Sequence, residues 1–279
     1  MVTRRRSAPR AFTLVEMLVV LGIIAVLIGL LLPAIQIAVN SARRATIALE
    51  ISQIDAALNT YKQQRGEYPP SFGENYADPA RYSSVVERHL QRCYPKIGTA
   101  HKKLFYDEIE TNAIDQGEAL VFWLSSISTS PSTPFDTTST RSGYYEFDAR
   151  RLSNDDGDKV QEFLAKNSRD TPYMYAEFRT YSKHLTTSSA MSAMSGKYYT
   201  QPYFADNTGN TATTLKGMKD KSFQIICAGL DGEFGDVLDN SGGTYNNLKK
   251  YPSGTNLETG DLDNITNFSE GRTLGDSRP

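Results

Sequence analysis

No charged side chain occurs between Met17 and Ala42, a run of 26 residues. As a helix rising about 1.5 Å per residue it would span roughly 39 Å, more than the roughly 30 Å hydrocarbon core of a bilayer. A single acid, Glu16, stands at the entrance to this run, and Arg4, Arg5, Arg6 and Arg10 precede it. A cleavable secretory signal does not fit, because its apolar centre is about 7–15 residues and a small-residue cleavage site follows promptly. An uncleaved signal anchor fits the pattern: the basic flank stays in the cytoplasm and the remainder is exported.

Glu16 carries the sharper information. An ionisable residue bordering an apolar span is costly and marks a functional position by default. Gly22 and Gly29 lie seven apart, on nearly one helix face, where small residues allow helices to approach closely or weaken the helix. Pro33 removes one amide donor and is expected to kink or locally melt the helix near the Gly29 carbonyl.

The string Ala11-Phe12-Thr13-Leu14-Val15-Glu16, behind its arginine-rich leader, resembles the N-terminal signal of type IV pilins and type II secretion pseudopilins. In that signal a basic leader ends in Gly or Ala before Phe-Thr-Leu-Ile-Glu. Here Ala11 replaces the usual Gly and Val15 replaces Ile. Glu16, the fifth residue after the junction, and Pro33, the twenty-second, fall where the family often has them. The resemblance implies cleavage by a prepilin peptidase between Ala11 and Phe12 and N-methylation of Phe12. It further implies that the new Phe12 amine of one subunit meets Glu16 of a neighbour. Within one chain the same pair could neutralise itself. Any other stagger of subunits would bury an unpaired charge at a cost of several kcal/mol, which would fix axial register.

Removing residues 1–11 takes away four of the 30 basic residues and none of the 32 acids, so the net charge falls from −2 to −6. That balance argues against nucleic-acid binding, which wants a basic face. The chain beyond the helix is long enough for one domain with its own core. Ile47, Ile51, Ile54, Leu58 and Tyr61 recur in steps of four and three, predicting that the helix continues to about Gln64 with one face against the chain's own domain. Gly66 and Tyr68-Pro69-Pro70 end it. The segment RGEYPPSF is similar to the G-x-YP stretch after the long helix of many pseudopilins.

Residues 73–165 look like an insertion relative to a small major pseudopilin. Within it, a short helix is expected near Ser83–Arg92 and a buried one over Glu118–Ile127. Trp123 and Phe122 read as core, 128–143 as a loop and Tyr144–Phe147 as a short strand. Asn154-Asp155-Asp156-Gly157-Asp158 invites a calcium reading, but the EF-hand template places Leu152 and Phe163 at its first and last ligand positions, so a solvated acidic turn is preferred. Tyr173–Thr180 should be a strand. It follows Asp170-Thr171-Pro172, which resembles the segment leading into the pseudopilin sheet without its glycine. Residues 182–220 read as a surface excursion. Lys221–Ala228, KSFQIICA, is the best strand in the chain.

CAGLDGEFGD (227–236) and GDLDNITNF (260–268) resemble the pseudopilin pattern GADGxxGG…DADIxNW, whose intervening loop binds calcium. Carried across by position, the resemblance implies a structural calcium held by Asp231, Asp261 and Asp263 with the carbonyl of Ala228, while Asp236 and Asn264 are not cleanly assigned. The segment between the two strings is longer than usual. Independently, acids gathered in one loop repel unless a cation neutralises them. Cys93 and Cys227 can pair or remain buried thiols in an exported domain. Enzyme motifs are missing: there is no G-x-S-x-G, phosphate loop or H-E-x-x-H, and His89, His101 and His184 stand apart.

The expected protein is α+β and pilin-like, and not an enzyme. It comprises a leader at 1–11 and a long helix at 12–64 whose transmembrane part covers about 14–39. A periplasmic domain follows at 65–279, with insertions at about 73–165 and 180–220. A small antiparallel sheet packs on the helix beside an irregular, calcium-tied C-terminal region. By resemblance it is a type II secretion pseudopilus subunit of the bacterial inner membrane, polymerising with itself or other pseudopilins through an inner-membrane assembly platform. A type IV pilus subunit and a membrane-anchored periplasmic binding module or enzyme are the competing readings.

Overall fold

The computed structural model describes the chain apart from residues 1–12, 73–84, 113, 126, 129, 137–139, 155–159, 169, 183–184, 186–198, 239, 241–243 and 279. Two compact units result, 1–42 and 43–279. Helix α1, Leu14–Arg65, is 52 residues long and supplies the backbone of both. Within the first unit every described residue is exposed, including Leu18, Leu21, Leu30 and Ile37. This part of the helix is long and apolar enough to cross a membrane. Helical structure continues through Pro33, so the expected local melting is not seen.

In the second unit α1 buries Ile47, Ile51, Ile54, Ala57, Leu58 and Tyr61, the predicted stripe with one added alanine. The helix ends as expected. Gly66 has φ of +87° and its amide donates to the Lys62 carbonyl at 2.7 Å, a left-handed cap that other residues adopt only under strain.

The central sheet has the order β5 (Met174–Glu177), β7 (Phe223–Cys227), β9 (Ile265–Thr266), all antiparallel. Met174 faces Ile226 and Cys227 faces Ile265 across the ladders. β7 is buried along its whole length because it is the middle strand, and its residues Ile225 and Cys227 join the α1 stripe in the main core. β5 stops at Glu177, where the chain tightens into a 3-10 turn over Phe178–Thr180 rather than continuing as the expected strand. The Glu177 carboxylate accepts from the Arg179 amide and fixes that turn.

Described parts of the segment read as an insertion contribute to the core. Helices α2 (Val85–Cys93), α3 (Thr99–Asn112) and α4 (Glu118–Leu124) contribute Leu90, Phe105, Leu120, Trp123 and Leu124 to it. α2 lies near the predicted position, whereas α3 was not anticipated because its sequence carries no strong apolar period. α4 starts where the Asp115 carboxylate accepts from the Gly117 and Glu118 amides. Trp123 is fully buried, lies parallel to Phe72 at 5.8 Å, and donates its indole N–H to the Pro70 carbonyl at 3.0 Å. Tyr144–Phe147 is irregular rather than a strand, and its rings pack edgewise on one another and on Phe163. Two short hairpin pairs flank it, β1 (Ile127–Ser128) with β2 (Arg141–Ser142) and β3 (Leu152–Ser153) with β4 (Glu162–Phe163). The acidic turn Asp155–Asp158 lies outside the described residues.

Within residues 182–220, expected at the surface, the described stretch Thr200–Phe204 is buried and starts a second layer of core, whereas 206–216 lies at the surface as expected. β6 (Phe204–Ala205) pairs in parallel with β8 (Lys250–Tyr251), and Tyr203 and Phe204 are fully buried. The buried Gln224 side chain holds this layer to β7: it accepts from the Tyr203 amide and donates to the Tyr203 carbonyl, each at 2.8 Å. Polar clamps then fasten the layers to α1. Arg151 grips both oxygens of Glu50 at 2.5 and 2.7 Å, Tyr173 donates to Glu50 at 2.6 Å, and Asn267 donates to Asp55 at 2.9 Å. Both cysteines are free and buried. The fold is α+β with a pilin-like layout of long helix, small sheet and irregular C-terminal region.

Candidate functional site

At the start of α1, Thr13 and Glu16 hold each other. The Thr13 amide and hydroxyl both donate to Glu16 Oε2 at 2.8 Å, and the Glu16 amide donates to Thr13 Oγ1 at 3.2 Å. This is the reciprocal arrangement of a capping box, threonine at the cap and glutamate three residues on, which satisfies amides that a helix start leaves without partners. Sequence reasoning treated Glu16 only as a charge; the T-x-x-E spacing was the signal for its second role. Among the described residues, both Thr13 contacts fall on one Glu16 oxygen, Oε2. Ala11 and Phe12 lie outside the described residues.

The second predicted site is the C-terminal acidic region. Asp261 is fully buried and both its oxygens are taken. Oδ1 accepts from the Lys249 ammonium at 2.7 Å and from the Tyr203 hydroxyl at 2.7 Å, and Oδ2 accepts from the Glu258 amide at 2.9 Å. Asn264 completes the group, its side-chain amide 2.8 Å from the Tyr203 hydroxyl. Asp263 is likewise engaged at both oxygens: Oδ1 accepts from Arg44 at 2.6 Å, and Oδ2 accepts from the Leu230 and Asp231 amides at 2.5 and 3.2 Å. Asp231 accepts from the Glu233 amide at 3.0 Å. Ala228 is buried just before the turn that carries Asp231.

Close backbone approach makes this possible. Gly229 and Gly235 both have φ of +70°, and a Cβ on either would lie 2.5 Å from a carboxylate oxygen of Asp263 or Asp261 respectively. The residues named by resemblance therefore do gather in one region. Their donor chemistry does not fit a calcium cage, because every carboxylate oxygen of Asp261 and Asp263 already accepts from at least one N–H or O–H group. Two of those donors, Lys249 and Arg44, are themselves cations. Neither was singled out in the sequence, since a lysine within KK and an arginine within a helix carry no distinguishing spacing.

A third cluster lies where α1 meets α2. Glu67, His89 and Cys93 bring three ligand-type atoms within 4.8 Å of one another. His89 joins Glu67 Oε1 through Nδ1 at 2.9 Å and Tyr61 through Nε2 at 2.8 Å, and the Cys93 thiol donates to the Arg65 carbonyl at 3.3 Å. The Arg179 guanidinium is 3.0 Å from the same Glu67 oxygen. Burial pushes the Cys93 thiol up to about 12, and a guanidinium beside the carboxylate repels a metal ion, so the cluster is a hydrogen-bonded core network.

That network sets a pH profile. Burial pulls the Glu67 carboxyl upward, but hydrogen bonds from His89 and Arg179 and the Arg179 charge outweigh it and hold the group at about 2, below its ordinary 4.5. Burial also lowers His89 below 6.5. Both groups bind protons more readily in the unfolded chain, so their stabilisation is present above the unfolded values and is lost as pH falls. Glu177 has the opposite sign: burial raises it to about 7 against the opposing charge of Arg179, so its contribution is full below 4.5 and lost as pH rises through 7. Thermal melts of the full chain in detergent are expected to peak between these limbs. Glu67→Gln should flatten the acid limb by about 1–2 kcal/mol after allowance for solvent screening. An acid limb as steep as in the unaltered protein would refute this assignment.

Residues 6–32 match the family model of the Prokaryotic N-terminal methylation motif. No curated protein and no solved structure matches the chain. The match covers the end of the leader from Arg6, the Ala11–Phe12 junction, the Thr13–Glu16 box and the apolar run up to Leu32. It accounts for the position of an acid at the head of a membrane-length helix. The chain thus carries a prepilin-type N-terminal segment on a pilin-like α+β layout, in the manner of a membrane-anchored structural subunit that a prepilin peptidase processes and that assembles into pilin-type polymers.

Proposed function

We propose that the chain is a subunit of a type II secretion pseudopilus. Prepilin peptidase cuts between Ala11 and Phe12 on the cytoplasmic side, and Phe12 is N-methylated. The processed subunit is held in the bacterial inner membrane by the first half of α1, with residues 43–279 in the periplasm. It is then added helix-first, through the inner-membrane assembly platform, to a filament that pushes cargo outward. The observation that carries this reading is the lone Glu16 at the head of a charge-free run, inside the matched motif. The likeness of 227–236 and 260–268 to the pseudopilin C-terminal strings favours secretion over a surface pilus. A type IV pilus subunit shares the same N-terminal chemistry and is the second reading.

Intact-mass and peptide mass spectrometry of protein from the native membrane tests the first step. The expected N-terminus is methylated Phe12, a loss of eleven residues. An uncut N-terminus on a monomeric protein would leave only a membrane-anchored periplasmic module. A deletion strain then separates the two filament readings: loss of protein export supports the pseudopilus, whereas loss of surface filaments with normal export supports the pilus.

A further inference from the structure

The acidic C-terminal region poses an electrostatic problem that the chain itself solves. Asp261 is a fully buried carboxylate, and a buried charge persists only when paired and hydrogen-bonded. Its partner, Lys249, is equally buried, with the side chains of both wholly shielded from solvent. Burying an ammonium group is itself unfavourable, so this lysine is not an incidental surface cation drawn in. Its ammonium reaches Asp261 Oδ1 at 2.7 Å and the Phe234 carbonyl at 3.4 Å. A buried cation that contacts both a carboxylate and a loop carbonyl occupies the electrostatic role of a metal ion. Gly235 is shaped around the pair: its positive φ and missing Cβ let the 230–236 turn close over the Asp261 carboxylate.

The second aspartate is treated in the same way from another direction. Arg44, on α1, donates to Asp263 at 2.6 Å and lies 3.4 Å from Asp276. Asp263 in turn accepts the two amides that open the 230–236 turn. The turn is therefore tied to the Thr259–Asn264 segment through two aspartates, each answered by a cationic side chain of the same chain.

We propose that Lys249 and Arg44 are built-in countercations, so that the C-terminal region of this protein closes without a bound divalent ion. This inference concerns the globular unit alone and holds whether the filament is a pseudopilus or a pilus. Removing the Lys249 charge leaves Asp261 buried with Tyr203 and one backbone amide as its partners among the described residues. It also opens space beside a carboxylate, a place that a small cation can enter.

The test uses the full chain in detergent, melted in a chelator, in millimolar calcium chloride, and in neither. The unaltered protein is expected to melt at the same temperature in all three, and native mass spectrometry should show no retained calcium. Lys249→Met is expected to lower the melting temperature by roughly 10 °C or more, because one partner of a buried pair is stranded. Asp261→Asn placed in that background should recover most of the loss, which a packing role for the lysine stem would not predict. Calcium should raise the melting temperature of Lys249→Ala and leave the unaltered protein unmoved. Should Lys249→Met fail to fold, Arg44→Gln provides the milder variant, since its site is partly exposed. A melting temperature of the unaltered protein that falls on chelation would overturn the proposal, as would calcium retained at one ion per chain.

Discussion

Replacing Glu16 by glutamine is expected to leave each copy of the protein folded and inserted while filaments fail to grow. Glutamine keeps the shape and still accepts from the Thr13 amide, so the capping box that starts α1 survives. What disappears is the negative charge. In the proposed filament that charge answers the cationic Phe12 amine of a neighbouring subunit, and an amine left without it in apolar surroundings costs several kcal/mol for each subunit added. A penalty of even about 3 kcal/mol per addition lowers the elongation equilibrium more than a hundredfold. Thr13→Ala is the matched control: it removes the cap, at about 1 kcal/mol, but not the charge. Sheared-filament yield and inter-subunit helix crosslinking measure the polymer, and limited proteolysis of the detergent-extracted subunit measures its fold. Glu16→Gln filaments of normal length and yield would remove the electrostatic basis of the proposed function.

Trp123→Ala is expected to be among the most damaging single changes in the globular unit. The indole is fully buried, contacts the rings of Phe72, Phe105, Phe122, Tyr61 and His89, and donates to the Pro70 carbonyl. Truncation to alanine leaves a cavity and an unanswered carbonyl, for a loss of about 3–5 kcal/mol. For a domain of this size that shifts the melting temperature by roughly 10 °C. Trp123→Phe retains most of the volume and loses only the hydrogen bond, so it should cost markedly less. Urea denaturation followed by circular dichroism of the full chain in detergent is the measurement. The consequence reaches beyond stability, because Trp123 joins the segment 85–124 to the Pro69-Pro70 stretch after α1. A loss below about 1 kcal/mol would mean that segment 85–124 folds as a separate appendage.

Two kinds of feature were legible before the fold was known. Periodicity exposed the Ile47–Tyr61 stripe, and composition exposed the apolar run; both arise from a helix repeat written locally in the chain. Gly66 and β7 were readable for the same reason, as a glycine followed by prolines and a β-branched apolar run. The failures share a different cause. α3, the buried stretch Thr200–Phe204 and the irregular course of Tyr144–Phe147 are decided by what packs against them. Tyr203 and Phe204 lie in a polar, serine- and threonine-rich sequence, and only their neighbours Gln224, Met174 and Leu248 bring them inside. A strand of two residues such as β6 leaves no period to detect.

The candidate sites divide along the same line. The N-terminal segment was written in consecutive residues, because peptidase recognition, helix capping and membrane insertion all act on contiguous chain, and the sequence by itself determined it. At the C-terminal region the sequence named the acids but not their counterions. Lys249 is twelve residues from Asp261, and Arg44 is 219 residues from Asp263, so only the folded chain could bring each pair together. Charge pairing acts through space over a few ångströms, whereas spacing along the chain records only local geometry. Tertiary structure therefore decided which cations meet those carboxylates.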